Sequence, residues 1–512
     1  MTEEVREIEA TSEDEAQTLP DGLTMEQLDD IWASQNAERE DMKKRQDYYD
    51  GDHKIVGQDE TNADGSKKGE LVSNWMAYIV NRFVGSMTDK PYSVTLAEDN
   101  APTEALDAYR AILKDNAITS QDTENLRMML TMGPAVEVHG FSEDKEITIT
   151  SNDPRNWAIV YNSDGVLTLA MKRIVLPANT FHDGKLLEAQ LILMTVYTVN
   201  AIFDYQQDGA EGGWLWTRTV QHNYGQVPIV DWRANADGKT ILTDALIGQQ
   251  DEYNDVDSGS GDSLKYNSDA LLILFGLDPE WVKQHAVELK ETRIVSLPSD
   301  GDIKFILKAT DVTAINARLD RTREHIHMMG EVPDVETIVG ATGSTSGIAL
   351  ALKFLPMAQR AAGMANWIAA GVRERINLIN VIQKALGKPP VENYDVKITF
   401  SLPRNRTEEW TSISKLDGEV SHKTRLVMLS DVDDPEAELA RIAEENAQAR
   451  GTGFTDPDGE ASEVRIEQTA EDIKPLIEAT IKTIADAATS QVIESGAIEK
   501  LAAAREKAGV PV

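Results

Sequence analysis

The sequence predicts an α+β fold in which helical segments enclose a region of short strands. Apolar residues recur at helical spacing from Leu23 to Thr131 and again after residue 244. From Ala135 to Arg233 they alternate with a period of two, which is typical of strands. Hydrophobic residues make up 41% of the 512 residues, enough for a large core divided among several domains.

Charge and cysteine content exclude several classes of function. The formal net charge is −37, with 87 acidic against 50 basic residues, which disfavours a protein that wraps tightly around nucleic acid. The absence of cysteine excludes disulfides and thiolate metal sites and suits a reducing compartment. Apolar runs fall short of the ~18–20 residues of a membrane span, and the acidic N-terminus does not look like a signal peptide. We therefore expect a soluble protein made inside the cell, with no membrane partner.

The N-terminal part reads as helices around one short strand. Residues 1–23 are acidic and without period, which predicts a disordered arm. Gly51 suits the end of the first helix. The predicted elements are helices at Leu23–Tyr49, Leu71–Met87, Ala105–Asp115 and Thr123–Thr131, and a strand at Ser93–Leu96.

The middle region reads as a mostly antiparallel set of strands. Turn sequences such as Asn162-Ser-Asp-Gly165 and His182-Asp-Gly184 separate the alternating runs. The strands are predicted around Val136–Val138, Ile147–Ile149, Ile159–Tyr161, Leu167–Ile174, Leu191–Val199 and Trp214–Thr219. The stretch Val227-Pro-Ile-Val230 closes the region.

Residues 244–347 have a distinct order: a helix, short strands, a second helix and a loop rich in Gly, Ser and Thr. The helices are predicted at 244–270 and 311–330, and the strands at Leu271–Gly276, Arg293–Leu297 and Ile303–Leu307. Gly259 and Gly261 fall inside the first helix and should each cost ~1 kcal/mol relative to alanine. They predict either a kink or close packing at that point. A narrow apolar seam on the second helix comprises Val312, Ile315, Leu319, Thr322, Ile326 and Met329.

A very long helix is predicted from Ser346 to Leu386, on the order of 60 Å in length, with a kink at Pro356. Its predicted buried side comprises Leu350, Phe354, Met357, Met364, Trp367, Ile368, Val372, Ile376, Ile379 and Ile382. A strand at Val396–Phe400 and helices at Thr407–Asp417, Ser421–Leu429, Pro435–Arg450 and Ile473–Ala508 follow.

Motifs that suggest catalysis or ligand binding are weak. The loop Gly340-Ala-Thr-Gly-Ser-Thr-Ser-Gly347 lacks the Lys-Ser/Thr ending of a phosphate-binding loop. Gly261-Asp-Ser-Leu264 spells a serine esterase signature but lies in a predicted helix. His325 and His327 diverge on a helix, and the acidic run from Asp251 to Asp262 misses the spacing of a calcium loop. We expect no cofactor, no metal and no enzyme activity.

The order of parts resembles the portal proteins of tailed bacteriophages, especially the siphophage type of Gram-positive hosts. The sequence Tyr48-Tyr-Asp-Gly51 is similar to the end of that family's opening helix. Two further stretches, Asn74-Trp-Met-Ala-Tyr-Ile-Val-Asn-Arg-Phe-Val-Gly85 with Lys90-Pro91, and Ser346-Gly-Ile-Ala-Leu350, are similar to later helices of the family. The C-terminal stretch from Ile398 to Asn405 also fits, and the resemblance covers roughly residues 30–447.

The resemblance implies a phage portal fold, assembled as a ring of twelve subunits, each with an α/β wing, a two-helix stem, a small clip that contains strands, a long kinked helix and a helical crown. The implied divisions are an arm (1–23), a wing (24–240 and 348–400), stem helices (241–271 and 311–331), a clip (272–310), a tunnel loop (332–347), a crown (401–450) and an acidic helical C-terminal extension or tail (451–512).

The resemblance also implies a channel for packaging and ejecting double-stranded DNA at one capsid vertex, in a virion assembled in the host cytoplasm. Its partners would be the terminase large subunit, the major capsid and scaffolding proteins and a head–tail adaptor. The tunnel-loop residues expected to face DNA are Asp334, Glu336, Thr337, Thr342, Ser344 and Thr345. The stem residues expected at subunit interfaces are Asp251, Asp255, Arg318, Arg321 and Arg323.

Two alternatives remain open from the sequence. One is a different head–tail connector or minor capsid protein of a phage. The other is a nucleotide-binding or hydrolytic enzyme that uses the loop Gly340–Gly347 or the Gly261–Leu264 motif.

Overall fold

A computed structural model provides the fold. It describes residues 22–62, 65, 67–97, 103–142, 146–209, 212–268, 271–275, 278, 280–281, 283, 302–306, 311–334, 347–400, 406–416, 418–429, 432 and 435–451. Nearly all of the predicted arm and all of residues 452–512, including the predicted helix at Ile473–Ala508, therefore lie outside the described residues. The chain forms two compact units, Met1–Glu408 and Glu409–Val512.

The described helices follow the predicted order closely. They are α1 (Met25–Ser34), α2 (Asn36–Asp50), α3 (Trp75–Thr88), α4 (Glu104–Asp115), α5 (Ile118–Met132), α6 (Asp244–Ser268), α7 (Val312–Gly330), α8 (Gly347–Ala385), α9 (Arg406–Ser414), α10 (His422–Met428) and α11 (Pro435–Gly451). Gly51 ends α2 in the left-handed conformation, as predicted, and Ser421 caps α10. None of the helices in the described part of the chain has the length and apolar character needed to cross a membrane.

The strands pair antiparallel throughout the described sheets. They are β1 (Ser93–Leu96), β2 (Pro134–Phe141), β3 (Ile147–Asn152), β4 (Trp157–Tyr161), β5 (Leu167–Leu176), β6 (Phe181–His182), β7 (Lys185–Leu186), β8 (Leu191–Tyr197), β9 (Ala201–Asp208), β10 (Leu215–Gln221), β11 (Ile229–Arg233), β12 (Leu271–Phe275), β13 (Asp302–Ile306) and β14 (Tyr394–Lys397). A five-stranded sheet has the order β10-β9-β8-β5-β4, and a three-stranded sheet has the order β11-β2-β3. The pairs β1–β14, β6–β7 and β12–β13 complete the set. The α+β prediction is confirmed.

The main core of the first unit lies between helices α3, α5 and α8 and the three-stranded sheet. Phe83 on α3, Leu130 on α5 and Val372 on α8 are fully buried in it. A second cluster forms where α1, through Leu28, packs on the five-stranded sheet. Burying these side chains stabilises the unit by about 1.5–3 kcal/mol each. In the second unit, Leu426 on α10 is buried.

The predicted helix at Leu23–Tyr49 is in fact two helices, because the chain bends at Gln35. The Gln35 side chain donates to the Ile159 carbonyl at 3.0 Å and accepts from the Ile159 amide at 3.3 Å. These bonds tie the bend to strand β4. Periodicity along the sequence cannot reveal a break that is caused by a distant strand.

Two further helix starts were wrong, and one strand was missed. Helix α3 begins at Trp75 instead of Leu71, and α5 begins at Ile118 instead of Thr123. Strand β9, Ala201-Ile-Phe-Asp-Tyr-Gln-Gln-Asp208, was missed, although Ala201, Phe203 and Tyr205 alternate along its buried face. The predicted strand at Arg293–Leu297 lies outside the described residues.

The long helix is confirmed as α8, which has 39 residues and continues through Pro356; the kink expected at Pro356 stays a prediction. Most of its predicted apolar side is buried, including Met357, Met364 and Ile376. Trp367 was predicted to be buried but is 42% exposed, since it lies at the edge of the stripe. The predicted cap Ser346 lies outside the described residues.

Candidate functional site

Helices α6 and α7 form an antiparallel pair that is joined by the chain segment containing β12 and β13. The two helices pack against each other, and β12 pairs with β13 from Leu271↔Ile306 to Phe275↔Asp302. Asp311 caps α7 by accepting a hydrogen bond from the Ala314 amide at 3.0 Å. This element, two helices with a pair of strands between them, is the part of the chain that was expected to form the stem and the clip.

The predicted seam on α7 is buried at one end only. Thr322 and Ile326 are buried, Ile315, Leu319 and Met329 are half-buried, and Val312 at the start of the helix is 50% exposed. Close packing at the buried end extends to Gly330, where an added Cβ would lie 2.6 Å from Ile79 Cδ1. The pair is therefore anchored near the C-terminal end of α7 and leaves apolar surface at the other end.

Three of the five predicted interface residues have partners within the chain. The Asp251 carboxylate accepts a hydrogen bond from the Tyr48 hydroxyl at 2.7 Å. Arg318 on α7 pairs with Glu252 on α6 at 2.8 Å. Arg323 lies 3.5 Å from the Asp334 carboxylate.

The other two predicted interface residues, Asp255 and Arg321, are exposed. Desolvation and the nearby carboxylate of Asp251 raise the pKa of Asp255. Among the described residues, no ion pair involves Asp255 or Arg321. Contacts of all five with a neighbouring subunit stay a prediction.

Asp334 is the one predicted tunnel-loop residue within the described part of the chain. It follows the end of α7, and its pairing with Arg323 ties the start of the loop back to that helix. The remaining predicted residues, Glu336, Thr337, Thr342, Ser344 and Thr345, lie outside the described residues, and their contact with DNA stays a prediction.

A buried ionic cluster, which the sequence did not reveal, holds α8 against the three-stranded sheet. The fully buried Arg375 guanidinium donates through Nε to Glu137 Oε1 at 2.9 Å and forms a second bond to the same carboxylate through Nη2. It also lies 2.5 Å from the Asp122 carboxylate on α5 and donates to the Tyr92 hydroxyl at 2.9 Å. Two buried charges in bidentate contact hold the elements in one relative position.

Glu137 is held in its charged form by its neighbours. His139 Nε2 lies 2.9 Å from Glu137 Oε1, and the Trp232 indole N–H donates to Glu137 Oε2 at 3.1 Å. Burial tends to raise the pKa of Glu137, but attraction to Arg375 and these hydrogen bonds outweigh it and lower the pKa to about 2. Burial raises the pKa of Asp122 despite the same arginine. A charged residue on an otherwise apolar helix stripe, such as Arg375 next to Ile376, is the signal that could have indicated the cluster.

The weak catalytic motifs do not form reactive geometry. Ser263 lies inside the continuous helix α6 and not on the tight turn that exposes an esterase nucleophile. Asp251–Asp262 lies within the same helix, so it does not form a calcium loop. Within the described part of the chain, no group of three or more His, Asp or Glu side chains could hold a metal ion. The loop before Gly347 lies outside the described residues.

Two solved structures of the necks of gene transfer agent particles align with most of this chain. The neck of an empty gene transfer agent particle aligns with 70% of this chain and 91% of that chain, at 15% identity and a TM-score of 0.42. The neck of the native particle aligns with 70% of this chain and 89% of that chain, at 13% identity and a TM-score of 0.40.

Comparison with known sequences identifies a family. The portal protein of Bacillus phage SPP1 is 26% identical over 238 residues, which cover 44% of this chain and 45% of that protein. The chain thus matches less than half the length of this curated relative. The model of the phage portal proteins that resemble SPP1 Gp6 matches residues 28–452, from within α1 to just past the end of α11. The resemblance predicted from the sequence is confirmed, and the chain belongs to the SPP1 Gp6-like family of phage portal proteins.

Proposed function

We propose that this protein forms the portal ring at one vertex of a phage capsid, the channel through which double-stranded DNA enters and leaves the head. The observation that carries the proposal is the family match over residues 28–452. The antiparallel pair α6–α7 with its paired strands β12 and β13 supports it, because long paired helices suit a closed ring of repeated heterologous contacts.

The charge of the chain suits a channel through which DNA slides. The formal net charge is −37, so a ring of these subunits would repel the duplex along most of its surface. Clustered Lys and Arg would release counterions from DNA and grip it. An acidic wall leaves the duplex hydrated and free to move. The role requires no chemistry from the chain, and the ATP-driven step would belong to a separate terminase large subunit.

The finer parts of the proposal concern subunit number and partners. We propose a ring of twelve subunits in the virion, assembled in the host cytoplasm. The major capsid and scaffolding proteins would contact it within the head, and a head–tail adaptor would extend the channel outward. Membranes would not take part.

Purification followed by light scattering and electron microscopy tests the proposal. We expect closed rings with a central channel, either in purified protein or in phage heads. A protein that stays monomeric at every concentration and is missing from heads would contradict the proposal. ATP or ester hydrolysis that is lost on Ser263→Ala would favour an enzyme instead.

A further inference from the structure

A single segment, residues 69–75, runs alongside α6 and is bonded to it at every second residue. The Gly69 amide donates to Asp262 Oδ2 at 2.8 Å, and the Leu71 amide donates to Ser258 Oγ at 2.9 Å. The next two bonds run from the Ser73 amide to Asn254 Oδ1 at 3.2 Å and from the Trp75 amide to Gln250 Oε1 at 3.0 Å. We call this segment the strap and each of these four bonds a rung.

The rungs repeat because two regular spacings nearly coincide. The acceptors lie four residues apart on α6, about 6.0 Å along the helix axis. The donors lie two residues apart on the strap, about 6.6–6.8 Å when extended. The difference stays below about 1 Å per rung where the strap is extended. The chain turns at Asn74, where the Trp75 amide also donates to the Ser73 carbonyl at 2.8 Å, before the last rung forms.

The strap also explains the polar residues on a buried side of α6. Gln250, Asn254 and Ser258 are all buried, and buried polar groups without partners would destabilise the fold. Additional bonds complete the set: Gln250 Nε2 donates to the Ser73 carbonyl at 2.8 Å, and Asn254 Nδ2 lies 2.8 Å from His53 Nδ1. These side chains are therefore matched to the strap backbone and not to solvent.

Glycine at position 69 restricts which strap amide can reach which acceptor on α6. A Cβ there would lie 3.2 Å from Asp262 Oδ1 and 3.4 Å from the Ser258 carbonyl oxygen. A shift of the strap by one rung would bring the bulky Leu71 to this narrow place. At the other end, Trp75 is the first residue of α3, and Asn74 caps that helix through the Ala77 amide. The strap is thus anchored at one end and restricted in register at the other.

We propose that the strap positions α6 along its axis relative to α3, and that it opens in order from the Gly69 rung toward the Trp75 rung while the core stays folded. The exposure of the acceptors gives the direction. Gln250 and Asn254 are almost completely buried, Ser258 is slightly less so, and Asp262 is half-buried. Water competes most easily for the outermost rung. The inference concerns the chain itself and stands independently of the channel function.

Residue-resolved hydrogen exchange of the full-length protein tests whether the strap opens in this order. Within the described part of the chain, the amides of Glu70 and Val72 have no hydrogen-bond partner, whereas those of residues 69, 71, 73 and 75 do. We expect alternating slow and fast exchange, with protection rising from residue 69 to residue 75. Equal exchange at residues 69 to 72 would overturn the proposal.

A matched pair of serine variants distinguishes the effect of losing one rung from a general loss of stability. Ser258→Ala removes one rung, while Ser260→Ala removes only a bond to the Asp257 carbonyl within α6. We expect Ser258→Ala to speed exchange at Gly69 and Leu71 about tenfold, with no change in residues 76–88 of α3. Ser260→Ala should leave the strap unchanged. If Ser258→Ala accelerates α3 as much as the strap, the residue has only a general structural role and the proposal is wrong.

Variants of Asp262 test whether the outermost rung depends on a hydrogen bond or on charge. Asp262→Asn keeps an acceptor oxygen and should keep the Gly69 amide protected. Asp262→Ala removes the acceptor and should expose it. If both variants leave the Gly69 amide as protected as in the unmodified protein, the rung is not what protects it and the proposal fails.

Discussion

At the scale of single residues, Arg375 determines how the long helix α8 sits on the sheet. It is completely buried and contacts carboxylates from two other elements, Glu137 on β2 and Asp122 on α5. Buried ion pairs often contribute little net stability, because desolvation offsets their attraction. Removing one partner is a different matter, since it leaves an uncompensated charge in the core.

Replacing Arg375 with alanine should therefore destabilise the protein by about 3–5 kcal/mol, because the Glu137 carboxylate would remain buried without its cation. Urea unfolding followed by fluorescence measures the change. The control is Arg373→Ala, which removes an exposed arginine from the same helix and should alter stability by less than about 0.5 kcal/mol. Similar losses for the two variants would contradict the role given to the cluster.

The same cluster predicts that the folded protein loses stability in acid. Glu137 has a pKa of about 2 in the folded protein, below its ordinary value of 4.5. Because the folded pKa is the lower one, its contribution to stability is present above about pH 4.5 and is lost as the pH falls toward 2. Asp122 acts in the opposite direction, since its raised pKa favours the folded state when this carboxyl is protonated.

We expect the urea concentration at the unfolding midpoint to decrease as the pH is lowered from about 6 to about 3. The decrease should be smaller in Glu137→Gln, because this variant lacks the titrating group. The variant should be less stable than the unmodified protein at neutral pH, because Arg375 loses a charged partner. An equal slope in both proteins would show that other carboxylates cause the acid sensitivity.

Residue-level predictions from the sequence succeeded for most of the residues that follow the apolar period, and they missed a buried residue that does not. Met357, Val372 and Ile376 were correctly placed in the core of α8. Arg375 was overlooked because apolar periodicity gives no weight to a charged residue that is buried with its partners. Trp367 was wrongly predicted to be buried, because the side chain of a residue at the edge of an apolar helical stripe can be either buried or exposed.

At the scale of elements, the glycines of α6 can be judged by the space around them. An added Cβ at Gly259 would meet nothing within 4 Å in the described part of the chain, and one at Gly261 would lie 3.8 Å from Leu71 Cδ1. Close packing against the described residues therefore does not explain Gly259. The helical assignment is continuous through both positions, so they do not interrupt α6.

Alanine at Gly259 should stabilise the unassembled chain by ~1 kcal/mol, because alanine loses less backbone entropy in a helix and finds free space here. Thermal unfolding measures the change. The contrasting variant is Gly371→Ala, whose Cβ would lie 2.5 Å from a Trp232 ring carbon and should be strongly destabilising. If Gly259→Ala stabilised the chain but prevented ring formation, a neighbouring subunit would account for this glycine.

Element boundaries show where local sequence is insufficient. The order of helices and strands could be predicted because each has its own period and end signals, such as Gly51 and Ser421. The break at Gln35 and the start of α3 at Trp75 depend on bonds to distant elements, β4 and α6. The apolar pattern from Leu71 predicts a helix, but the helix does not begin there. The backbone amides of the strap bond to side chains of α6 instead of to carbonyls within a helix.

At the scale of the whole molecule, the single chain narrows the choice of contacts between subunits. Asp251, Arg318 and Arg323 already have contacts within the chain, with Tyr48, Glu252 and Asp334 respectively. Arg321 and Asp255 are exposed on the two paired helices. We therefore propose that, of the interface residues expected from the sequence, these two meet across the ring.

Charge reversal tests this contact. Arg321→Glu and Asp255→Lys should each reduce the fraction of protein in rings, because each would place like charges opposite one another between subunits. The double variant restores opposite charges in the reversed order and should recover assembly. Arg110→Glu, on the exposed side of α4, serves as the control and should assemble normally.

Light scattering at low and high salt measures the ring fraction. The effect of each single reversal should shrink as salt increases, since exposed pairs are screened at a Debye length of about 3 Å in 1 M salt. Normal assembly by both single variants at low salt would remove Arg321 and Asp255 from the interface. The double variant could also lose assembly as severely as either single variant. That result would mean that the two residues face different neighbours, because only a direct pair regains attraction when both charges are exchanged.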